Sequence, residues 1–150
     1  MRKMRQDDLP GALRILRLWN MVPRPPSPEV PDPERSTIDI GNGFVAESGE
    51  RIVGLCSYFI LDDGWAETAS LAVDPEPCFA GVGALLQQAR LDEMRNRGVR
   101  RVRTETDRPA TVRWYVNRFG YRIVGTNPKK HAFSLPDVDY WTVLELDLVD

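Results

Sequence analysis

Two glycines at the start of a predicted helix are the residues of this sequence best suited to bind a ligand. Gly81 and Gly83 follow a β-prone segment that ends at Val73, and they precede a helical pattern that stops near Gly98. Glycines at this point leave no side chain between a ligand and the unpaired N–H groups of the first helical turn. A helix start of this kind attracts negative charge, so we expect it to bind an anion.

The glycine turn lies inside a longer stretch, from Ala66 to Asp107, that predicts strand, turn, helix and strand in succession. This order and length suit a crossover connection between two parallel strands. On the predicted helix, the residues expected to pack against a sheet are Val82, Leu85, Leu86 and Ala89. Leu91 falls on the opposite side of the helix, and the sequence offers no reason for its position.

Hydrophobic patterning also predicts the elements around this stretch. They are a helix from Gln6 to Asn20, a β-hairpin from Phe44 to Leu61, a strand from Trp65 to Val73, a short helix from Ala110 to Phe119, and closing strands from Tyr121 to Val124 and from Trp141 to Leu148. The segment between the closing strands, GTNPKKHAFSLPDVD, is polar and contains prolines, so we expect it to lie outside the core.

The central stretch resembles the acyl-CoA-binding core of the GCN5-related N-acetyltransferase (GNAT) family. In that family the loop before the helix reads Q/R-x-x-G-x-G/A, and its places are filled here by Cys78, Phe79, Ala80, Gly81, Val82 and Gly83. The first place departs from the pattern, because Cys78 stands where Gln or Arg is usual. The later run RFGY resembles the LGF ending of the family, and the resemblance extends from Phe44 to Val124.

The resemblance implies a mixed α/β fold, with a mostly antiparallel central sheet of about six to seven strands, flanked by helices and splayed at the cofactor-binding strand. A single acyl-CoA N-acyltransferase domain is expected over residues 1–150, since one core suits a chain of this length. Acetyl-CoA is the implied co-substrate. The residues implied to bind it are Leu71, Ala72 and Val73 on the strand and Phe79, Ala80, Gly81, Val82, Gly83 and Ala84 in the turn.

Two residues are implied to move protons during acetyl transfer. Glu67 matches the glutamate that histone-acetylating members carry on the same strand, and it would act as general base through water or with a pKa raised by burial. Tyr115 would return a proton to the leaving thiolate. The family's tyrosine usually stands four residues before the glycine of the LGF ending, where this sequence has Val116, so Tyr115 is turned by about 100° around a regular helix.

The favoured interpretation is therefore an N-acetyltransferase that acts on a primary amine of a small molecule or peptide by direct attack in a ternary complex. The alternative is a sensor or regulatory module of the same fold that binds acyl-CoA without transferring it. A nucleotide-binding α/β protein is disfavoured, because the GVG run lacks both the G-x-G-x-x-G spacing and the Gly-Lys-Ser/Thr of a P-loop.

A proline-rich segment runs from Pro23 to Pro33, with Glu29, Asp32 and Glu34 in or beside it. We hypothesise that this segment borders the acceptor site and that its carboxylates attract a cationic amine.

Composition excludes several other classes of protein. A net charge of −2 with interspersed signs argues against a nucleic-acid surface, and no apolar run approaches the roughly 20 residues needed to cross a bilayer. No signal-peptide pattern follows the start MRKMRQDDLP, and two unpatterned cysteines suggest reduced thiols in the cytoplasm. His131 is the only histidine, so no two-histidine metal site is expected. A homodimer is compatible with the sequence.

Overall fold

The computed structural model describes residues 1–23, 38–130 and 133–148, which form a seven-stranded sheet with α-helices on both faces. The strands are β1 (Arg2–Lys3), β2 (Gly43–Ser48), β3 (Arg51–Ile60), β4 (Trp65–Val73), β5 (Arg101–Thr106), β6 (Arg122–Pro128) and β7 (Tyr140–Asp147), and the α-helices are α1 (Leu9–Leu18), α2 (Val82–Asn96) and α3 (Pro109–Phe119). The strand order is β1-β2-β3-β4-β5-β7-β6. Neighbouring strands are antiparallel except β4 and β5, so the predicted mixed, mostly antiparallel sheet is confirmed.

The helices divide between the two faces of the sheet, as adjacent residues of β3 illustrate. Leu55 packs in a buried cluster with Ile15 and Leu16 of α1. Cys56 points the other way and packs with Leu86 of α2. Successive strand residues face opposite sides of a sheet, so α1 covers one face and α2 covers the other. The second face also carries α3, which contacts α2 directly.

A β-bulge in β4 marks the place where β4 separates from β5. The two strands pair in parallel only from Trp65 to Glu67 of β4, and a hydrogen bond between the hydroxyls of Thr68 and Thr104 follows. Immediately afterwards, Ala69 and Ser70 lie opposite the single residue Ser57 of β3. A bulge bends its strand and interrupts regular pairing, so β4 diverges from β5 and leaves a gap beside its last residues. This is the predicted splay.

The bulge also reverses the alternation of side chains along β4. Before it, Ala66 packs in the α2 cluster, so Glu67 lies on the α1 face. After it, Ala72 packs against α1, whereas Leu71 and Val73 pack towards α2. The side chains on the two sides of the bulge therefore cannot be assigned to faces by one uninterrupted count of alternate residues.

The predicted packing face of α2 is wrong in part. Leu85, expected to be inside, is 59% exposed. The buried residues of the helix are Leu86, Gln87, Arg90, Leu91 and Met94, which form a stripe at helical spacing. The hydrophobic pattern did not indicate this face, because two of its buried positions carry long polar side chains, Gln87 and Arg90. The same stripe explains Leu91, which lies in the core beside Tyr58 and Met94.

The segment between the closing strands contributes more to the core than expected. β6 extends to Pro128, opposite Tyr140 of β7, and a proline is tolerated there because β6 is an edge strand. Lys129 and Phe133 are buried. His131 and the residues 24–37, with Glu29, Asp32 and Glu34, lie outside the described residues. Within the described ranges, no helix has both the length and the apolar character required to span a membrane.

Candidate functional site

The gap between β4 and β5 opens into two adjoining cavities. The first has a volume of about 180 Å³ and lies between the ends of the two strands. The second is a cleft of about 420 Å³ at the start of α2. Trp19 and Val73 line both, so the cleft and the cavity meet at the end of β4.

The start of α2 has the geometry of an anion site. Gly81 has a φ of 91°, in the left-handed region that favours glycine, and no atom would contact a side chain added there. The first intrahelical bond found at this end is donated by the Leu85 N–H to the Gly81 carbonyl, so helix geometry leaves the N–H groups before Leu85 without helical acceptors. The first turn itself has no acidic residue, and the two carboxylates that line the cleft, Asp74 and Glu76, precede it.

Most of the residues predicted to bind the cofactor line these cavities. The lining of the cleft includes Val73, Phe79, Ala80, Gly81, Gly83 and Ala84. Leu71 and Ala72, together with Val73, line the first cavity. Val82 lines neither, because its side chain packs into the core near Gly54. These placements bring the predicted residues together around one continuous space, while their contacts with a cofactor stay a prediction.

The sequence did not predict two residues of α3 that line the cleft opposite the glycine turn, Trp114 and Arg118. Their spacing of four residues places both on one side of the helix. Arg118 supplies a positive charge to the cleft, and the ring of Trp114 is held by edge contacts to Tyr115 and Phe119, with centroids 5.1 and 4.9 Å away. The sequence contained one signal that could have predicted them: an aromatic residue and an arginine lie four residues apart on the predicted helix that precedes the LGF-like ending.

Trp19, just after α1, stands where the two cavities meet. Its indole N–H donates a hydrogen bond of 2.9 Å to the Val73 carbonyl, and the Arg108 guanidinium lies 4.9 Å from its ring centroid. Trp19 thereby links the end of α1 to the end of β4 and to the residue that precedes α3. Local patterns in the sequence do not indicate this contact, because these residues are far apart in the chain.

Two carboxylates line the first cavity, and their surroundings differ. Asp107 is 5% exposed, and it accepts bonds from the Lys129 ammonium at 2.6 Å, the Ser134 hydroxyl at 3.0 Å and the Leu135 amide at 2.8 Å. Glu105 is half-buried and accepts longer bonds, from Asn127 at 3.1 Å and from Arg103 at 3.4 Å. Asp107 therefore organises the wall, and Glu105 is the carboxylate better able to exchange a proton.

Glu67, the predicted base, is half-buried on β4 and does not line the cavity. It lies opposite Arg103 in the parallel register, and Glu105 follows two residues later on β5. Residues in register, and residues two apart on a strand, face the same side of a sheet. Glu67 and Glu105 therefore share the α1 face, at different distances from the gap.

Tyr115 lines the first cavity from the other face of the sheet, although it stands one place earlier than the family pattern. It is 4% exposed, and its hydroxyl oxygen accepts a hydrogen bond of 3.0 Å from Nη2 of Arg90. α3 ends at Gly120, whose φ of 77° is left-handed. Tyr115 and Glu105 thus approach the gap from opposite faces, whereas Glu67 is set back from it.

The crossover unit thus brings together a helix start with a left-handed glycine, a cleft and a splayed pair of strands in one mixed α/β fold. A sequence profile of the acetyltransferase (GNAT) family matches residues 12–121. The chain therefore belongs to the GNAT acetyltransferase family. No curated protein gave a sequence match, and among the described residues no cluster of three or more His, Cys, Asp or Glu side chains could hold a metal ion.

Several solved structures share the fold of this chain. Ard1 from Thermoplasma volcanium is 18% identical, with a TM-score of 0.74 over 99% of this chain and 97% of that one. The ribosomal-protein-S18-alanine N-acetyltransferase from Escherichia coli is 18% identical, with a TM-score of 0.72 and coverages of 99% and 92%. Rv2747 from Mycobacterium tuberculosis, solved with CoA and NLQ, is 16% identical, with a TM-score of 0.71 and coverages of 99% and 98%. At identities this low, the similarity shows a shared fold and nothing beyond it.

Proposed function

We propose that this protein is an acetyl-CoA-dependent N-acetyltransferase that acts on a primary amine of a small molecule or peptide, by direct attack in a ternary complex. The observation that carries the proposal is the continuity of the cleft at the start of α2 with the cavity between β4 and β5, through Val73. A cofactor held in the cleft and an amine held in the cavity would meet at the end of β4. One domain, residues 1–150, would contain both sites.

The cleft fits the phosphate end of CoA. The amides from Gly81 to Ala84 present N–H groups at a helix start, and Arg118 adds a positive charge on the opposite wall. The Phe79 and Ala80 amides already donate to the carbonyls of Glu76 and Pro77. The backbone of residues 71–73 lies along the gap, where β5 does not pair with it, so it can bond an extended chain. Acetyl-CoA supplies the acetyl group as a thioester.

Carboxylates on the α1 face are proposed to accept the proton that the amine must lose before it attacks. Glu105 is placed to do so at the cavity wall, and Glu67 would do so through water, since it is set back from the wall. Tyr115 is proposed to return a proton to the leaving thiolate from the opposite face. Acid and base on opposite sides of the gap leave room between them for the thioester and the amine.

The proposed acceptor is a primary amine of a small molecule or peptide. The fold neighbour from Escherichia coli is named for the alanine of a ribosomal protein, which favours a peptide amine, and the small cavity suits a short group. A cytoplasmic location and a homodimer are proposed from the sequence. The competing proposal, an acyl-CoA-binding module without transferase activity, is favoured by the residue at the family's tyrosine position, which is Val116 in this sequence.

A melting experiment tests the cofactor site. Acetyl-CoA at about one hundred times its dissociation constant should stabilise the protein by about 2.7 kcal/mol, which raises Tm by about 5 to 11 °C in a domain of this size. Gly83→Glu should abolish the shift, because it places bulk and negative charge at the start of α2. Gly125→Glu is the matched control, since Gly125 also has open space around it but lies on the edge strand β6.

A thiol-release assay over polyamines, amino acids, aminoglycosides and peptides then separates the two proposals. A melting shift with CoA release for at least one amine supports the transferase. A shift without release for any amine favours the binding module. No shift at millimolar acetyl-CoA contradicts both.

A further inference from the structure

Arg90 of α2 is a fully buried arginine without a carboxylate partner. Its exposed fraction is 0%, and no carboxylate among the described residues forms a salt bridge with it. Burial of a charge costs several kcal/mol unless it is paired or fully hydrogen-bonded. An unpaired cation beside a reaction cavity is therefore the feature of this core that packing alone does not explain.

The guanidinium is held in one orientation by neutral oxygens. Nη1 donates to the carbonyls of Ser57 and Ser70, at 3.1 and 3.2 Å, and Nε donates to Oε1 of Gln87 at 2.7 Å. The two carbonyls belong to the β-bulge where β4 leaves β5. Nη2 is then directed at the Tyr115 hydroxyl, 3.0 Å away.

The direction of this last bond fixes what Tyr115 can donate. A guanidinium has donors and no acceptor, so the phenol oxygen accepts from Arg90, and its own hydrogen must point elsewhere. Tyr115 lines the cavity next to the gap. A group bound in that cavity would be the acceptor of the phenol hydrogen in the reaction proposed below.

The groups around Arg90 leave its charge uncompensated. The titratable side chains that face it are Cys56 of β3, Tyr115 of α3 and Tyr121, which follows α3. Burial raises the pKa of Cys56 to about 11 and also raises the pKa of Tyr121, so neither supplies a negative charge at neutral pH. Burial acts to lower the pKa of Arg90, but these hydroxyl and thiol neighbours raise it overall, and the guanidinium remains protonated.

We propose that Arg90 is a positioning residue for acetyl transfer: it aims the Tyr115 hydroxyl and stabilises the negative charge that forms there. This inference rests on the proposed function. As the amine nitrogen bonds to the acetyl carbon, the carbon–sulfur bond breaks, its electron pair goes to sulfur, and the Tyr115 proton moves to that sulfur to give free CoA. The phenol oxygen is left with the negative charge, which Arg90 compensates until the proton that the nitrogen loses after its bond has formed returns to the phenol through solvent.

Gln87→Glu is the sharpest test, because it is isosteric and leaves Arg90 in place. A carboxylate at the Nε contact neutralises the guanidinium, so we expect kcat to fall about tenfold and the basic limb of the pH–rate profile to move up by about one unit. The KM for acetyl-CoA should stay within a factor of about two, as expected when only the chemical step is affected. A role for Arg90 in stability alone predicts unchanged kcat and pH dependence, since a new buried pair would not weaken the core.

Substitutions of Arg90 and of Tyr121 complete the test. Arg90→Gln should lower kcat by about 10 to 10², Arg90→Lys should restore part of the loss, and Arg90→Gln should add no loss in a Tyr115→Phe background. Tyr121→Phe is the matched control, because its hydroxyl is equally buried and bonds the other end of Gln87 at 2.9 Å, yet it does not touch Arg90 by hydrogen bond. It should keep the parental kcat and pH profile.

The outcomes separate this inference from the proposed function. A parent that releases CoA, with a Gln87→Glu variant of parental kcat and pH profile, overturns the role of Arg90 alone. Additive losses for Arg90→Gln and Tyr115→Phe also overturn it. A parent that binds acetyl-CoA but releases no CoA with any amine overturns the proposed function and this inference with it.

Discussion

The two cavities at the end of β4 are built in different ways. The cleft at the start of α2 is lined largely by one continuous stretch, from Val73 to Ala84, and its anion-binding groups belong to the backbone. The cavity between β4 and β5 is lined by side chains from the end of α1, from β5, from α3, from residues 133–134 and from β7. The cleft depends on local turn geometry, whereas the cavity between β4 and β5 depends on the correct packing of segments that are distant in the sequence.

The buried pair of Lys129 and Asp107 connects the segments that form the wall of the cavity between β4 and β5. Besides Asp107, the Lys129 ammonium donates to the carbonyls of Phe133 and Leu135, at 2.8 and 2.7 Å. It also lies 4.7 Å from the ring centroid of Trp141 on β7. One cation thus joins the end of β5, the segment after β6, and β7. The cleft has a buried carboxylate of its own, Asp74, which pairs with Arg51 at 3.1 Å.

Lys129→Met should therefore have the largest effect of the changes considered, and it should affect one cavity only. It leaves Asp107 buried without its cation, so we expect a loss of about 3 to 5 kcal/mol in the free energy of unfolding, measured by denaturant titration. The KM for the amine should rise, and the melting shift with acetyl-CoA should persist.

Arg122→Met is the control for this change. Arg122 forms a more exposed pair with Asp147 near the other end of β6, at 3.3 Å, and such pairs contribute about 0 to 1 kcal/mol. Equal losses for Lys129→Met and Arg122→Met would contradict the view that the acceptor wall depends on its buried pair.

The same contrast explains what the sequence could predict. β4 has the predicted bounds, Trp65 to Val73, and α3 was predicted to within one residue, because local patterning and turn residues determine such elements. The glycine turn was placed for the same reason. These features need only neighbours in the chain to be specified.

The parts that escaped prediction all depend on long-range contacts. Asp107 and Lys129 are separated by 22 residues in the sequence, and Trp19 and Val73 are separated by 54. Neither contact can be predicted from the spacing of neighbouring residues. The buried face of α2 was predicted incorrectly because it includes Gln87 and Arg90, and hydrophobic periodicity treats polar residues as exposed. Glu105 was overlooked because the orientation of a strand residue towards a gap depends on where its neighbour strand diverges.

The carboxylates on the α1 face give the next largest effect and test which of them serves the acceptor cavity. We expect Glu105→Gln to lower kcat by about 10² to 10³ and to remove the acidic limb of the pH–rate profile. Glu67→Gln should do the same if the proton reaches it through water. Both variants should keep the melting shift with acetyl-CoA, since neither residue lines the cleft.

A third carboxylate on the same face provides the control. Glu145 of β7 lies opposite Arg103 in register and pairs with Arg122 at 3.5 Å, away from the cavity. Glu145→Gln should turn over like the parent. If Glu67→Gln alone loses activity, the sequence-based base is supported and Glu105 organises the wall; if neither loses activity, the proton is accepted by a group outside this face.

The smallest effect concerns the cofactor cleft and the one place where its loop departs from the family pattern. Cys78 is exposed, and its Sγ lies 4.0 Å from a carboxylate oxygen of Glu76. Cys78→Arg restores the usual type of residue and adds a cation at the rim, where exposed charge contacts are weak, so we expect CoA affinity to improve by about two- to fivefold. The gain should shrink at high salt, and acceptor kinetics at saturating acetyl-CoA should not change. Cys78→Ser should leave the affinity unchanged, because it alters the side chain without adding charge. If Cys78→Arg gains affinity only when Glu76→Gln is also present, the new arginine pairs with Glu76 in preference to the phosphate. The affinity of this loop for CoA would then depend on its side-chain charges as well as on its backbone amides.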